Sequence, residues 1–247
     1  MASPEPLTKD TQPQLFGFIL GGHETTSNSN LWAVKTLASH QEVQNKLRAN
    51  IRATMPAAAA EGRNPTAQEI TQMQCPYLDA CIEELFRVSL TAPACARMAM
   101  RDTQVLGHHI PKNTILFMVW NQADYVAPGF SVEERLRSES CQAAEKRVGV
   151  AGDVFDTAAF VPERWLAKAA DGKEVFDATR GRNMIFSLGP RGCYGRRLAY
   201  VEFRMLVVLV VWNFQLRELP AELNTAKAYD KLTRQPQDCY VRLSEPL

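Results

Sequence analysis

Apolar positions recur at helical spacing from about Gln14 to Ala38, where Leu15, Phe18, Ile19, Leu31, Trp32 and Val34 predict a first helix. Gly21-Gly22 sits in its middle, and "TTSNSN" follows. A second helical pattern runs from about Gln41 to Met55 and stops at Pro56. "PAAAAEGRNP" reads as a surface connector. Thr66 and Glu69 then stand at capping-box spacing and start a short helix. Pro76 opens a strong helix that runs to about Leu90.

Beyond Leu90 the pattern shortens. "TQVLGHHI" and "NTILFMVW" are rich in β-branched or aromatic residues, with Gly107 and Pro111 between them, and predict a hairpin. The pair His108-His109 falls in its turn, at the surface. Residues 122–155 are charged and aperiodic, so they predict a long loop with a short helix near 132–145. A further helix is expected from about Tyr194 to Phe214, and "DKLTRQPQDCYVRL" predicts a strand pair. The chain is therefore mainly α with small β-sheets and has no internal repeat. Residues 1–13, polar and proline-rich, are expected to form a disordered N-terminal segment; residues 14–247 form the folded part.

Composition narrows the class. The chain has 247 residues, 46% hydrophobic and 22% charged, with a net charge of +1. That balance is ordinary for a globular protein and gives no basic footprint for nucleic acid. The N-terminus does not read as a signal peptide. The greasiest run, Leu206 to Trp212, is too short to span a bilayer and follows Glu202 and Arg204, so it reads as a buried helix. The cysteines at 75, 81, 95, 141, 193 and 239 contain no CxxC pair. This argues against a zinc site or disulfide framework and for a reducing, intracellular setting.

Three stretches carry chemistry. "FSLGPRGCYG" places Cys193 among three glycines and a proline, with Arg191 two residues before it. Backbone N–H groups of a tight glycine turn at a helix N-terminus stabilise a thiolate that ligates a metal. Gly189 and Gly195 permit the backbone twist and the close approach of a flat ligand. Arg191 can pair with a carboxylate on that ligand. In "EELFRVS", Glu84 and Arg87 are three apart on a helix and share a face. They form either a surface salt bridge or, with Arg164 of "FVPERWL", a buried cluster below the cysteine loop. "GGHETT" puts two glycines mid-helix, at a cost of about 1 kcal/mol each relative to alanine. Either the helix distorts there to admit a small ligand and water, with Glu24 and Thr25 supplying protons, or it is a glycine-tolerant crossing with a solvated Glu24.

In this order the stretches resemble the cytochrome P450 family of haem-thiolate monooxygenases, over about residues 14–245. The text looks like the fungal branch that oxidises secondary metabolites. The resemblance implies haem b (iron-protoporphyrin IX) with Cys193 as its axial thiolate ligand, which favours O–O cleavage. It implies that Arg191 and Arg97 bind haem propionates, that Phe186 packs near the thiolate and that Gly195 lets the haem approach. Glu84, Arg87 and Arg164 become a structural triad. Glu24 and Thr25 relay protons to O₂ at the haem, and Gly21 and Gly22 open the oxygen groove. "APACAR" and the helix around Gly21 line the substrate pocket; His23 packs or faces solvent.

The same resemblance implies one oxygen atom inserted into a small organic substrate, with electrons from an NADPH-cytochrome P450 reductase-type donor. The family's chains are much longer, however. The expectation is a P450-like fold truncated at its N-terminus, lacking the anchor that holds full-length relatives on the endoplasmic reticulum membrane. One side of the first helix is then uncovered, or covered by a partner protein. Two other outcomes stay open: a catalytically inactive relic, and a non-enzymatic haem-binding partner subunit.

Overall fold

The structure is a computed structural model that describes residues 11–119, 133–139, 142–143, 158–181 and 183–246. Five helices come first: α1 (Thr11–Ser39), α2 (Gln41–Thr54), α3 (Pro56–Ala60), α4 (Ala67–Gln72) and α5 (Pro76–Ser89). A further helix, α6 (Arg196–Asn213), follows the cysteine loop. Because α1 starts at Thr11, residues 11–13 of the segment expected to be disordered are helical. "PAAAA" is also a helix rather than a connector; Pro56 pre-sets the first turn and four alanines continue it. The capping box forms as its spacing predicts: the Thr66 hydroxyl accepts from the Glu69 amide, and the Glu69 carboxylate accepts from the Thr66 amide.

The centre of the molecule is α5. Tyr77, Leu78, Ala80 through Arg87 and Ser89 are all buried. Around it pack Leu37 of α1, Leu47 and Ile51 of α2, Ile70 of α4, Trp165, and Phe203, Val207 and Val208 of α6. Each such side chain contributes about 1.5–3 kcal/mol on full burial. The run Leu206 to Trp212 is buried on one side only, since Leu209 stays exposed while Val208 and Val211 do not. Arg204 ties α4 to α5, donating to the Ile70 and Met73 carbonyls and to Asp79. Among the described residues no helix is long and apolar enough to cross a membrane.

Five two-stranded antiparallel sheets are described. "TQVLGHHI" alone makes one hairpin, with β2 (Thr103–Val105) against β3 (His108–Ile110) and Leu106-Gly107 turning at positive φ. The second half of the expected hairpin pairs elsewhere: β4 (Ile115–Val119) runs against β1 (Ala94–Met98), so Arg97 sits opposite Leu116. His108 and His109 are exposed as expected, but they lie in β3 rather than in the turn. Small strands β5 (Leu166–Lys168) and β6 (Glu174–Phe176) pair behind Trp165.

The C-terminal strand pair also divides. β8 (Ala228–Asp230) meets β9 (Arg234–Pro236), while β10 (Arg242–Ser244) returns to β7 (Gln215–Arg217) after α6. Of the expected loop at 122–155, only 133–139 and 142–143 are described, with a 3₁₀ turn at Glu134–Leu136. The rest of that loop lies outside the described residues.

Candidate functional site

The cysteine loop is built backwards from its hydrogen bonds. The Ser187 amide donates to the Met184 carbonyl, the Gly192 amide to Gly189, and the Cys193 amide to Phe186 at 2.8 Å. Ser187 and Gly189 adopt positive φ, of 55° and 69°, which is where the chain reverses. The result presents the Cys193 thiol exposed at the entrance of α6, whose N-cap is Gly195. A Cβ added at Gly195 would stand 4.0 Å from the Cys193 sulfur, an ordinary contact distance.

Phe186 anchors the loop to the core. Its ring meets Phe86 edge-on at 5.2 Å and Tyr200 at 5.4 Å. The Arg196 guanidinium lies over both Phe186 and Tyr200, at 5.7 and 5.4 Å from their centroids. Beneath them Glu83, buried on α5, accepts from the Asn183 amide at 2.8 Å and from the Tyr200 hydroxyl. Burial beside that carboxylate pushes the Tyr200 phenol well above its ordinary range, so it stays a donor. The sequence reading missed Glu83, Asn183 and Tyr200. Only the pairing of an acid on a buried helix face with later polar residues could have pointed to them.

Glu84, Arg87 and Arg164 come together as expected, and the surface-salt-bridge alternative is ruled out. Glu84 is fully buried; Arg87 and Arg164 side chains are 5% and 3% exposed. The two Glu84 oxygens accept from Arg87 Nε and Nη2 at 2.8 Å each and from Arg164 Nε at 3.1 Å. They also accept from the Val161 amide at 2.9 Å and from Trp165 Nε1 at 2.8 Å. Trp165 is thus a member that the sequence reading did not name, although it stood next to Arg164. Gly181 passes so close that a Cβ there would fall 2.3 Å from the Trp165 ring. The described link from this network to the cysteine loop is apolar, through Phe86 and Phe186 rather than through a hydrogen bond.

Arg97 reaches the loop from β1: its Nη2 donates to the Ser187 hydroxyl at 3.1 Å, and its Nη1 to the Ala96 carbonyl. Arg191 is exposed on the 3₁₀ turn Gly189–Arg191. The helix α1 passes the loop as well, with Phe18 and Tyr194 ring centroids 5.6 Å apart. Along that half of α1 Phe16, Phe18 and Ile19 are 67%, 57% and 69% exposed. The expectation of an uncovered side on the first helix is met.

At "GGHETT" the helix continues without a break, contrary to a local opening. The Thr25 hydroxyl bonds back to the Gly21 carbonyl, the i−4 arrangement that lets a threonine sit in a helix. Added Cβ atoms at Gly21 or Gly22 would meet nothing within 4 Å, so the space beside them is open. Glu24 is not freely solvated: its Oε1 accepts from the Thr233 hydroxyl at 2.8 Å.

Among the described residues the exposed cysteine is Cys193, with Arg191 on the same loop, the aromatic side of α1 beside it and open space over Gly21 and Gly22. An exposed thiol in such a loop is chemically able to ligate a metal. The cytochrome P450 sequence profile matches residues 4–123 and 153–241. The chain belongs to the cytochrome P450 family. That family implies a haem cofactor. The chain is 38% identical over 98% of its length to the cytochrome P450 monooxygenase TRI13 of Fusarium sporotrichioides, of which it spans 43%. It is 35% identical to the Hps1-dma1 cluster cytochrome P450 monooxygenase cyp3.1 of Dothistroma septosporum, over 98% of this chain and 80% of that one. GME11363 of Pestalotiopsis microspora, also a cytochrome P450 monooxygenase, is 37% identical over 96% of the chain, which spans 41% of it. The chain thus covers less than half the length of two of these relatives. A crystallised cytochrome P450, CYP102L1, superposes on 94% of the chain with a TM-score of 0.66 at 24% identity, and the chain covers 45% of it. The P450 fold is thereby shared.

Proposed function

We propose that this chain carries the haem-binding part of a monooxygenase that inserts one oxygen atom of O₂ into a small organic substrate in fungal secondary metabolism. The observation that carries the reading is the Cys193 thiol, exposed on a loop whose backbone is closed by the Cys193 amide and the Phe186 carbonyl. Bound there, haem b would supply O₂ activation and one-electron chemistry.

The residues of the chain do the rest. Cys193, as thiolate, would be the protein's ligand, with Phe186 packed behind its loop and Gly195 beside the sulfur. Arg97 and Arg191 would hold the propionates, since both are arginines at the loop and a guanidinium matches a carboxylate in two-point geometry. Gly21 and Gly22 would keep a groove open for O₂ beside α1. Glu24 would accept and release protons at its carboxylate, and the Thr25 hydroxyl would pass them on. The buried Glu84–Arg87–Arg164 network would hold the platform on which the loop rests. Electrons would come from an NADPH-cytochrome P450 reductase-type donor. An intracellular setting belongs to the same reading and rests on the chain's cysteine usage.

The test is the carbon monoxide difference spectrum of the reduced, haem-loaded chain, followed by turnover with a reductase. A strongly red-shifted Soret band together with product supports the reading. Haem uptake without that shift sinks Cys193 as ligand. A second reading, a haem-binding subunit without turnover whose apolar face is covered by a partner protein, is favoured by the exposure of Phe16 and Ile19 on α1. It predicts the shifted band without product.

A further inference from the structure

The hairpin of β8 and β9 is fastened along α1. Trp32 Nε1 donates to the Arg234 carbonyl at 3.2 Å, and the Arg234 guanidinium lies 5.1 Å from the Trp32 ring centroid. The Lys35 ammonium donates to the Asp238 carbonyl at 2.9 Å. The Arg234 amide donates to the Thr91 carbonyl at 2.9 Å, and the Thr91 hydroxyl meets that of Ser29 at 2.8 Å. These contacts fasten the hairpin independently of Glu24. At its turn Thr233, 3% exposed, makes a different pair of bonds: its hydroxyl lies 2.8 Å from Glu24 Oε1 and 2.9 Å from Asn28 Nδ2.

Chemistry fixes the direction of this chain. A carboxylate only accepts, so the single hydroxyl proton of Thr233 goes to Glu24. Asn28, 5% exposed, must then present its NH₂ to the Thr233 oxygen. The order is Asn28 to Thr233 to Glu24, with no second orientation available while Glu24 is ionised. A carboxylate on a long, rotamer-rich side chain is thereby held at one oxygen, Oε1; among the described residues no bond to its other oxygen is recorded.

We propose that Thr233 is a positioning residue for proton delivery: 209 positions along the chain from Glu24, it fixes the carboxylate that α1 contributes. This rests on the reading of Glu24 as the proton-moving acid. It gives the C-terminal hairpin a direct hold on the acid of α1, beyond packing.

The test uses the full chain labelled with ¹³C-glutamate. The infrared difference between wild type and Glu24→Gln assigns the Glu24 carboxylate stretch. Thr233→Val, isosteric and without the hydroxyl, is expected to shift that band, and Thr233→Ser to leave it in place. Asn28→Asp, which makes two carboxylates compete for one hydroxyl proton, is expected to shift it too and covers the case in which the valine variant fails to fold. With haem loaded and a reductase, Thr233→Val is expected to lower product formed per electron about tenfold, as displacement of a catalytic group does, with recovery in Thr233→Ser. A Glu24 band unmoved in Thr233→Val or in Asn28→Asp, or a serine variant that behaves like valine, overturns the positioning. Product formation and solvent isotope effect unchanged in Glu24→Gln overturn instead the proton-delivery reading on which it rests.

Discussion

The carbonyl of Phe186 and the amide of Cys193 meet at 2.8 Å, and that bond couples an aromatic anchor in the core to an exposed thiol on the surface of the fold. Loop geometry and core packing are therefore one system. Phe186→Ala removes the ring contacts with Phe86 and Tyr200. The expected loss is about 2–3 kcal/mol, below the range for a fully buried phenylalanine because the residue is half-buried. Urea denaturation measures it, and haem affinity is expected to fall with stability.

Glu84 is the sole described carboxylate between the buried guanidinium groups of Arg87 and Arg164. Glu84→Gln replaces the carboxylate that both guanidinium groups share by a neutral amide, and the expected cost is about 3–5 kcal/mol. Trp165→Phe removes one donor and part of the buried ring system, for about 1–3 kcal/mol. Chemical denaturation of the two variants should rank them in that order; a tryptophan variant as damaged as Glu84→Gln would contradict the network.

Acid stability has a marker at the start of α4. Hydrogen bonds from the Arg63 guanidinium and the Thr66 amide hold the Glu69 carboxyl down to about 2, from an ordinary 4.5. A carboxyl depressed in the folded state stabilises it fully above the ordinary value, and the contribution fades as pH falls toward the folded one. The thermal midpoint of wild type should exceed that of Glu69→Gln by a constant margin above about pH 5.5. That margin should close as the pH approaches 2. A margin independent of pH would mean that the capping box, not the charge, carries the effect.

The exposed ring of Phe16 and side chain of Ile19 form an apolar strip on α1. Strips of this kind drive association. Phe16→Glu with Ile19→Glu is expected to leave the far-ultraviolet circular dichroism unchanged and to shift light scattering toward the monomer. Unchanged scattering would move the source of any association to the β1–β4 sheet, where Phe117 is 71% exposed.

Helices with one clear apolar face were legible from the sequence because period and caps are local: Thr66 with Glu69, Pro76 opening α5. Strand pairing was not. β4 matched its expected residues but found β1 instead of β2, since a five-residue strand carries no record of its partner. The cysteine loop and Glu84–Arg87 were legible for another reason: their chemistry ties residue type to short fixed spacing. Glu83, Trp165 and Thr233 escaped because each acts through a partner far away in the chain, as Trp165 does on Glu84 across 81 positions.

Gly181 has no functional group, yet any side chain there would collide with the Trp165 ring. The indole would have to leave, and with it the proton it donates to Glu84. Genetic screens score such a position by phenotype. A Gly181→Ala chain should look like a cofactor-site lesion, pale and short-lived, although residue 181 contributes no ligand, no charge and no proton to the site.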